Sequence, residues 1–157
     1  MLALHLTPAR PRVDRACLQW YIFIVEQIKT ALIIIDGAKA IKEAAEVLSA
    51  ALKGYKTSIV TAESFAGTDL LPVRIFFLGC EAPDPSSFNY LDQMLQHVNL
   101  AGRPCGVFST DSKALKYLSK IIKASGAKAG EPLLLKDSSA ASAAIKTWIK
   151  TIPASSF

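Results

Sequence analysis

Histidine and cysteine, the residues that most often hold metals or act as nucleophiles, are scarce in this chain. Its 157 residues include two histidines and three cysteines. Cys17, Cys80 and Cys105 are spaced too widely to suggest a zinc motif or a disulfide framework, and unpaired cysteines are typical of a reducing compartment. We therefore expect a cytoplasmic protein. No nucleophile, base and orienting residue form a recognisable set, so the sequence predicts no catalytic residue and no metal site, and it leaves open whether the chain is an enzyme.

Basic clusters and membrane-length apolar runs are also lacking. The formal net charge is +5, but the lysines and arginines are scattered among acidic residues, and no basic run is interleaved with aromatic residues. We therefore expect no nucleic-acid partner. The apolar run at residues 16–25 is too short to cross a bilayer, so we expect no membrane span either.

The first 24 residues differ from the rest of the chain. Arg10, Arg12 and Arg15 precede the apolar segment 16–25, as in a secretory signal, but no small-residue cleavage site follows. Two interpretations stay open. The biological start lies near Val25 and residues 1–24 are an artefact of gene prediction, or these residues form an extra helix that packs on the domain. In both cases residues 25–157 form the domain.

The segment from residue 30 to residue 54 predicts the centre of the fold. Residues 30–35 include three consecutive isoleucines and no alternating polar residues, which is typical of a strand buried on both faces of a parallel sheet. The apolar positions that follow have helical spacing; they are Ile41, Ala45, Leu48 and Leu52. A strand, a glycine-containing turn and a helix N-terminus together form the site at which open α/β sheets hold phosphates.

Four further strands alternate with helices along the chain. The strands are predicted at residues 56–61, 74–78, 104–110 and 132–135. Helices are expected to begin at Ser86 or Ser87, at Asp111 or Ser112, and after residue 139, and the first two of these end at Gly102 and Gly126. This alternation predicts a three-layer α/β/α sandwich with a five-stranded parallel sheet of order 2-1-3-4-5.

The candidate site lies at the carboxyl ends of strands 1, 3 and 4, where such sheets bind ligands. Its residues by position are Asp36, Gly37, Ala38, Lys39 and Lys42 after strand 1, Gly79, Cys80 and Glu81 after strand 3, and Ser109, Thr110 and Asp111 after strand 4. Asp36 would repel a phosphate but attract a cation or a hydroxyl. Lys39 opposes the helix dipole unless an anion or Asp36 neutralises it. Asp111 is also an ordinary helix cap, and Glu81 would raise the pKa of Cys80.

Residues 31 to about 152 resemble a short-chain flavodoxin. The matching segments are ALIII at 31–35, DLLPVRIFFLGC at 69–80, GRPCGVFST at 102–110 and SGAKAGEPLLL at 125–135. The resemblance implies a flavodoxin-like fold, an FMN cofactor and electron transfer to a redox partner.

Two parts of the FMN site depart from the family pattern. The phosphate loop of flavodoxins is rich in Ser, Thr and Gly, whereas residues 36–42 read DGAKAIK. The loops after strands 3 and 4 contain no aromatic residue to stack on the flavin, and Phe88, which follows the first of these loops, is expected in the core. We therefore expect a degenerate site that has lost tight FMN binding, in a non-catalytic binding or interaction module with a protein partner. The alternative is an FMN electron carrier in which Lys39 and Lys42 bind the phosphate, and the backbone at 79–81 and 110–111 borders the ring.

Overall fold

The computed structural model describes residues 29–137 and 139–153, together with residues 15, 16 and 19 of the N-terminal segment. The two interpretations of residues 1–24 therefore concern a stretch that lies largely outside the described residues. Within the part of the chain that is described, no helix is long and apolar enough to cross a membrane.

A parallel sheet forms the centre of the molecule. Its strands are β1 Lys29–Ile35, β2 Tyr55–Thr61, β3 Ile75–Gly79, β4 Pro104–Ser109, β5 Lys128–Ala129 and β6 Leu133–Leu134. The order is β2-β1-β3-β4-β5, and β6 also pairs with β4. The register pairs Ile35 with Thr61 on one side and with Gly79 on the other, so the carboxyl ends of β1, β2 and β3 lie level. The predicted strand order is confirmed.

The fifth strand differs from the prediction. One strand was expected at residues 132–135, but the chain forms two strands of two residues each beside β4. Between them, the Gly130 N–H donates to the Cys105 carbonyl at 3.0 Å. Pro132 has no N–H to donate, so the ladder is interrupted there and resumes at Leu133.

Helices cover both faces of the sheet. They are α1 Lys39–Ala51, α2 Asn89–His97, α3 Ser112–Ser125 and α4 Ala141–Ile149, and short 3₁₀ turns lie at Gly67–Leu70 and Ser86–Phe88. Alternate residues of each strand enter opposite cores, as a period of two requires. Leu32 and Ile34 pack under α2 and α3, whereas Ile33 and Ile35 pack under α1 and α4. The predicted three-layer sandwich is thus confirmed.

The ends of α3 follow the prediction and those of α2 do not. The Asp111 carboxylate caps α3 by accepting from the Ala114 N–H at 3.1 Å, and Gly126 ends that helix with φ of +73°. Neither Ser86 nor Ser87 caps α2, because Pro85 leads into a 3₁₀ turn and α2 begins one turn later.

The C-terminal end of α2 is also earlier than expected. The helix ends at His97 rather than near Gly102. Val98 leaves it in an extended conformation that packs its side chain against the core. The Asn99 side chain then accepts from the Ala101 N–H at 3.0 Å, which starts a turn.

Candidate functional site

The loops after β1 and β3 meet at the carboxyl edge of the sheet. Gly37 has φ of +87°, a conformation that glycine adopts without strain, and this turn leads the chain from β1 into α1. The Asp36 N–H donates to the Gly79 carbonyl at 3.2 Å, which continues the ladder with β3 by one residue beyond the end of β1. The Asp36 side chain therefore stands between the two loops.

The Asp36 carboxylate accepts two backbone hydrogen bonds. Its Oδ1 accepts from the Ala38 N–H at 3.0 Å, and its Oδ2 accepts from the Glu81 N–H at 2.7 Å. Both bonds are charge-assisted, and the second joins loops that are 45 residues apart. Asp36 is half-buried. Its negative charge thus occupies two amides at the position where the sequence predicts phosphate binding.

Ser109 joins the loops after β3 and β4 in a similar way. Its buried hydroxyl donates to the Cys80 carbonyl at 2.5 Å and accepts from the Asp111 N–H at 3.0 Å. The Asp111 carboxylate caps α3, so the predicted capping role of this residue is confirmed. The Ser109 hydroxyl is consequently committed to holding the loops together.

Cys80 lies at the centre of this network as a buried free thiol. Burial, and then the charges of Asp36 and Asp111, raise its pKa to about 12. The direction is the expected one, but the acids responsible are Asp36 and Asp111 rather than Glu81, which is exposed. A thiol with such a pKa is protonated at neutral pH, so Cys80 is a poor nucleophile.

The aromatic ring closest to Gly79 belongs to the core. A Cβ on Gly79 would lie 2.4 Å from Cζ of Phe108. Phe108 is 1% exposed and packs edge-on against Trp148, with ring centroids 6.2 Å apart. Phe88 is fully buried, as expected. Tyr90, at the start of α2, is 53% exposed and contacts Phe65.

Lys39 and Lys42 lie on the first turn of α1 and are exposed. The Lys39 Nζ is 4.0 Å from Glu43 Oε1, and 92% of the Lys39 side chain is exposed. Lys39 thus pairs with Glu43 along the helix rather than with Asp36, and the i,i+4 spacing of Lys39 and Glu43 could have indicated this pair. Ala38 is the N-cap residue of α1, and no side chain caps the helix there. The first hydrogen bond of the helix runs from the Lys42 N–H to the Ala38 carbonyl. The N–H groups of residues 39–41 precede that bond.

The Thr110 side chain makes no hydrogen bond to this network. It lines a cavity of about 630 Å³ between α1 and α4, together with Lys136 and Asp137 from the loop after β6. The hydrogen bonds therefore bring together Asp36, Ala38, Gly79, Cys80, Glu81, Ser109 and Asp111. The side chains of Lys39, Lys42 and Thr110 make no hydrogen bond to that group. No three His, Cys, Asp or Glu side chains among the described residues lie close enough to hold a metal ion.

Comparisons with known proteins identify the fold. No protein-family model and no curated sequence matches the chain. Among solved structures, a flavodoxin of Streptococcus pneumonia TIGR4 is similar with a TM-score of 0.67 and 16% identity, covering 78% of this chain and 95% of that one.

Two further solved structures agree. A short-chain flavodoxin associated with a non-canonical PDU bacterial microcompartment has a TM-score of 0.65 and 16% identity, covering 79% of this chain and 99% of that one. Oxidised flavodoxin 2 from Bacillus cereus has a TM-score of 0.65 and 15% identity, covering 78% and 96%. Together with the observed strand order, these matches show that the chain has the flavodoxin-like α/β fold.

Proposed function

We propose that this chain is a flavodoxin-like binding or interaction module that does not hold FMN tightly. The observation that carries the proposal is the pair of hydrogen bonds that the Asp36 carboxylate accepts from the Ala38 and Glu81 N–H groups. An incoming phosphate would compete with a carboxylate that already uses these donors. The loop 36–42 also has no hydroxyl to offer the phosphate in exchange.

The energetic cost to FMN is large enough to change its affinity by orders of magnitude. A unit charge about 5 Å from the carboxylate is repelled by about 3 kcal/mol at an effective dielectric constant of 20. Solvent and salt reduce this value, because Asp36 is only half-buried. Each missing hydroxyl bond to a charged oxygen forfeits about 1.5–3 kcal/mol more. Since about 1.4 kcal/mol corresponds to a tenfold change in Kd, the combined loss moves FMN out of the tight-binding range.

The test is the visible spectrum of the protein purified from cells, followed by titration with FMN. We expect a colourless protein and weak binding. The Asp36→Asn variant removes the charge and should bind FMN about 10–100 times more tightly. Asp69→Asn is the matched control, because the Asp69 carboxylate also accepts a backbone N–H, from Ala66 at 2.9 Å, in the crossover between β2 and β3. A wild-type protein that retains flavin bands would contradict the proposal.

A second candidate function is electron transfer through bound FMN. It is favoured by the uncapped first turn of α1, where the N–H groups of residues 39–41 and the exposed Lys39 and Lys42 could receive the phosphate. In that case Lys39→Ala should weaken FMN binding, whereas Lys53→Ala, beyond the other end of α1, should not. Equal affinities for the two variants would remove this candidate.

The partner and the location follow from the same proposal. We propose a protein partner rather than a nucleic acid, since no basic cluster accompanies the net charge. The cytoplasm suits Cys80 and Cys105, which are both free and buried. Fluorescence anisotropy with labelled DNA and RNA tests the first point, and binding that weakens with salt would contradict it.

A further inference from the structure

A groove lies between helices α1 and α4 on the outer face of the molecule. It consists of two cavities, of about 650 and 630 Å³, which lie end to end, and Val47 lines both of them. Small and apolar side chains line part of it, beside polar and charged ones, and we call it the α1–α4 groove. The residues that define it are Ala40, Ala44, Val47 and Ala51 of α1 and Ala141 and Ile149 of α4.

The two ends of the groove carry opposite predominant charges. Lys53, Lys146 and Lys150 line the end near the amino edge of the sheet. Glu43 and Asp137 line the end near the carboxyl edge, with Lys136 beside them. A segment that fills the groove is therefore best matched if it is apolar in the middle, acidic at the amino edge and basic at the carboxyl edge.

We propose that residues 16–25 of this chain dock in the α1–α4 groove. Strand β1 begins at Lys29, which pairs with Tyr55 at the amino edge of the sheet. Only residues 26–28 separate the segment from that point, and three extended residues span about 10 Å. The segment is thus tethered at the lysine end of the groove, and the direction in which it would lie there is fixed.

The sequence of the segment matches the groove in length and charge. Ten helical residues extend about 15 Å, which fits along the 13 residues of α1. Glu26, on the strand side of the segment, would meet the lysines. Arg10, Arg12 and Arg15, at its other end, outweigh the charge of Asp14 and would meet Glu43 and Asp137. Both ends therefore pair unlike charges.

Three described residues lie within or next to the segment. Arg15, Ala16 and Gln19 are helical and exposed. A helix continued from these positions to residue 24 would place all three on one face, and would place Cys17, Tyr21 and Ile24 on the opposite face. That opposite face is the one that would enter the groove.

Thiol cross-linking in the full-length protein tests the docking. Cys17 supplies one thiol, and Cys80 and Cys105 do not compete because they are buried. A second thiol is introduced by Ala40→Cys, an exposed position at the carboxyl end of the groove. The matched control is Ala124→Cys, also exposed but on α3 in the opposite layer. With a short bismaleimide, the Ala40→Cys protein should form an intramolecular cross-link about tenfold faster or more than the control, because the tether gives a high effective concentration.

Two further variants make the outcome decisive. Ala50→Cys, at the amino end of the groove, should cross-link more slowly than Ala40→Cys if the segment lies in the proposed direction. Val47→Asp should lower the cross-linking rate of Ala40→Cys while the circular dichroism spectrum is retained. Equal rates for Ala40→Cys and Ala124→Cys would overturn the proposal. It would also be overturned by covalent dimers that grow with concentration, which indicate a second copy, or by binding of the segment to anionic vesicles without cross-linking.

Discussion

Replacement of Ser109 by alanine should destabilise the protein more than its small change in volume suggests. The hydroxyl is fully buried and makes two hydrogen bonds, to the Cys80 carbonyl at 2.5 Å and from the Asp111 N–H at 3.0 Å. Alanine removes both bonds and supplies no polar atom. The Cys80 carbonyl and the Asp111 N–H then lose their partner in one step.

The magnitude depends on how far water can replace the hydroxyl. A buried polar group left without a partner costs about 1–3 kcal/mol. Cys80 is fully buried, so its carbonyl should cost the upper part of that range. Asp111 is only partly buried, so water can reach its N–H and the cost is smaller. We expect the free energy of unfolding to fall by about 2–3 kcal/mol.

Urea unfolding measures this loss, and Ser125→Ala is the matched comparison. Ser125 is also buried, but its hydroxyl makes one good bond, to the Ile122 carbonyl at 2.7 Å, and one long contact at 3.4 Å. We expect its replacement to cost about 1 kcal/mol. The m value should be the same in both variants, because the surface exposed on unfolding is unchanged. Equal losses in the two variants, or a loss under about 1 kcal/mol for Ser109→Ala, would refute the reasoning.

Two other predictions concern the same edge of the sheet. Gly79→Ala should lower the free energy of unfolding by about 1–3 kcal/mol or more, because the new Cβ would overlap the Phe108 ring. Adding Phe108→Leu should recover part of the loss in a double-mutant cycle. Additive effects of the two substitutions would contradict the steric cause. Cys80 and Cys105 both have a pKa raised to about 12. Their contribution to stability is therefore complete below pH 9 and lost as the pH rises from 9 towards 12. The urea midpoint of a Cys17→Ser variant should fall over the same pH range. A thiolate absorbance that rises near pH 9 in the folded variant would contradict this.

The fold could be predicted from sequence because its signals are local. The uniform apolar run ending at Ile35 and the helical spacing after it specify a buried parallel strand and its crossover. The fifth strand could not be placed correctly, because a proline and a glycine divide it and the pairing is decided by β4. The N–H of Leu135, for example, donates to the Ser109 carbonyl at 2.8 Å. Such a bond depends on the partner strand and leaves no periodic signal in the sequence.

The loops that meet at the carboxyl edge could be predicted from the sequence, but the hydrogen bonds between them could not. The end of each strand identified Asp36, Cys80 and Ser109 as neighbours, since the strand order fixes which loops meet. The role of Asp36 depends on the Glu81 N–H, 45 residues away. A carboxylate at this position has the same sequence signature whether it accepts a backbone amide, holds a cation or faces solvent. The choice is made by loop geometry, which residue types alone do not determine.

The two acceptors at the carboxyl edge have a common consequence for any ligand there. Asp36 and Ser109 satisfy the N–H groups of Ala38, Glu81 and Asp111 from within the protein. These are amides that a phosphate or the polar edge of a ring would otherwise use, so a ligand must displace an internal bond for each one it gains. Ser109 is a neutral acceptor and does not repel an anion, whereas the charge of Asp36 does. The edge should therefore discriminate against anions more than against neutral ligands. Binding of riboflavin, which lacks the phosphate, should accordingly change less than binding of FMN when Asp36 is replaced by asparagine. A similar gain for both ligands would mean that Asp36 opposes flavins through its effect on loop geometry rather than through its charge.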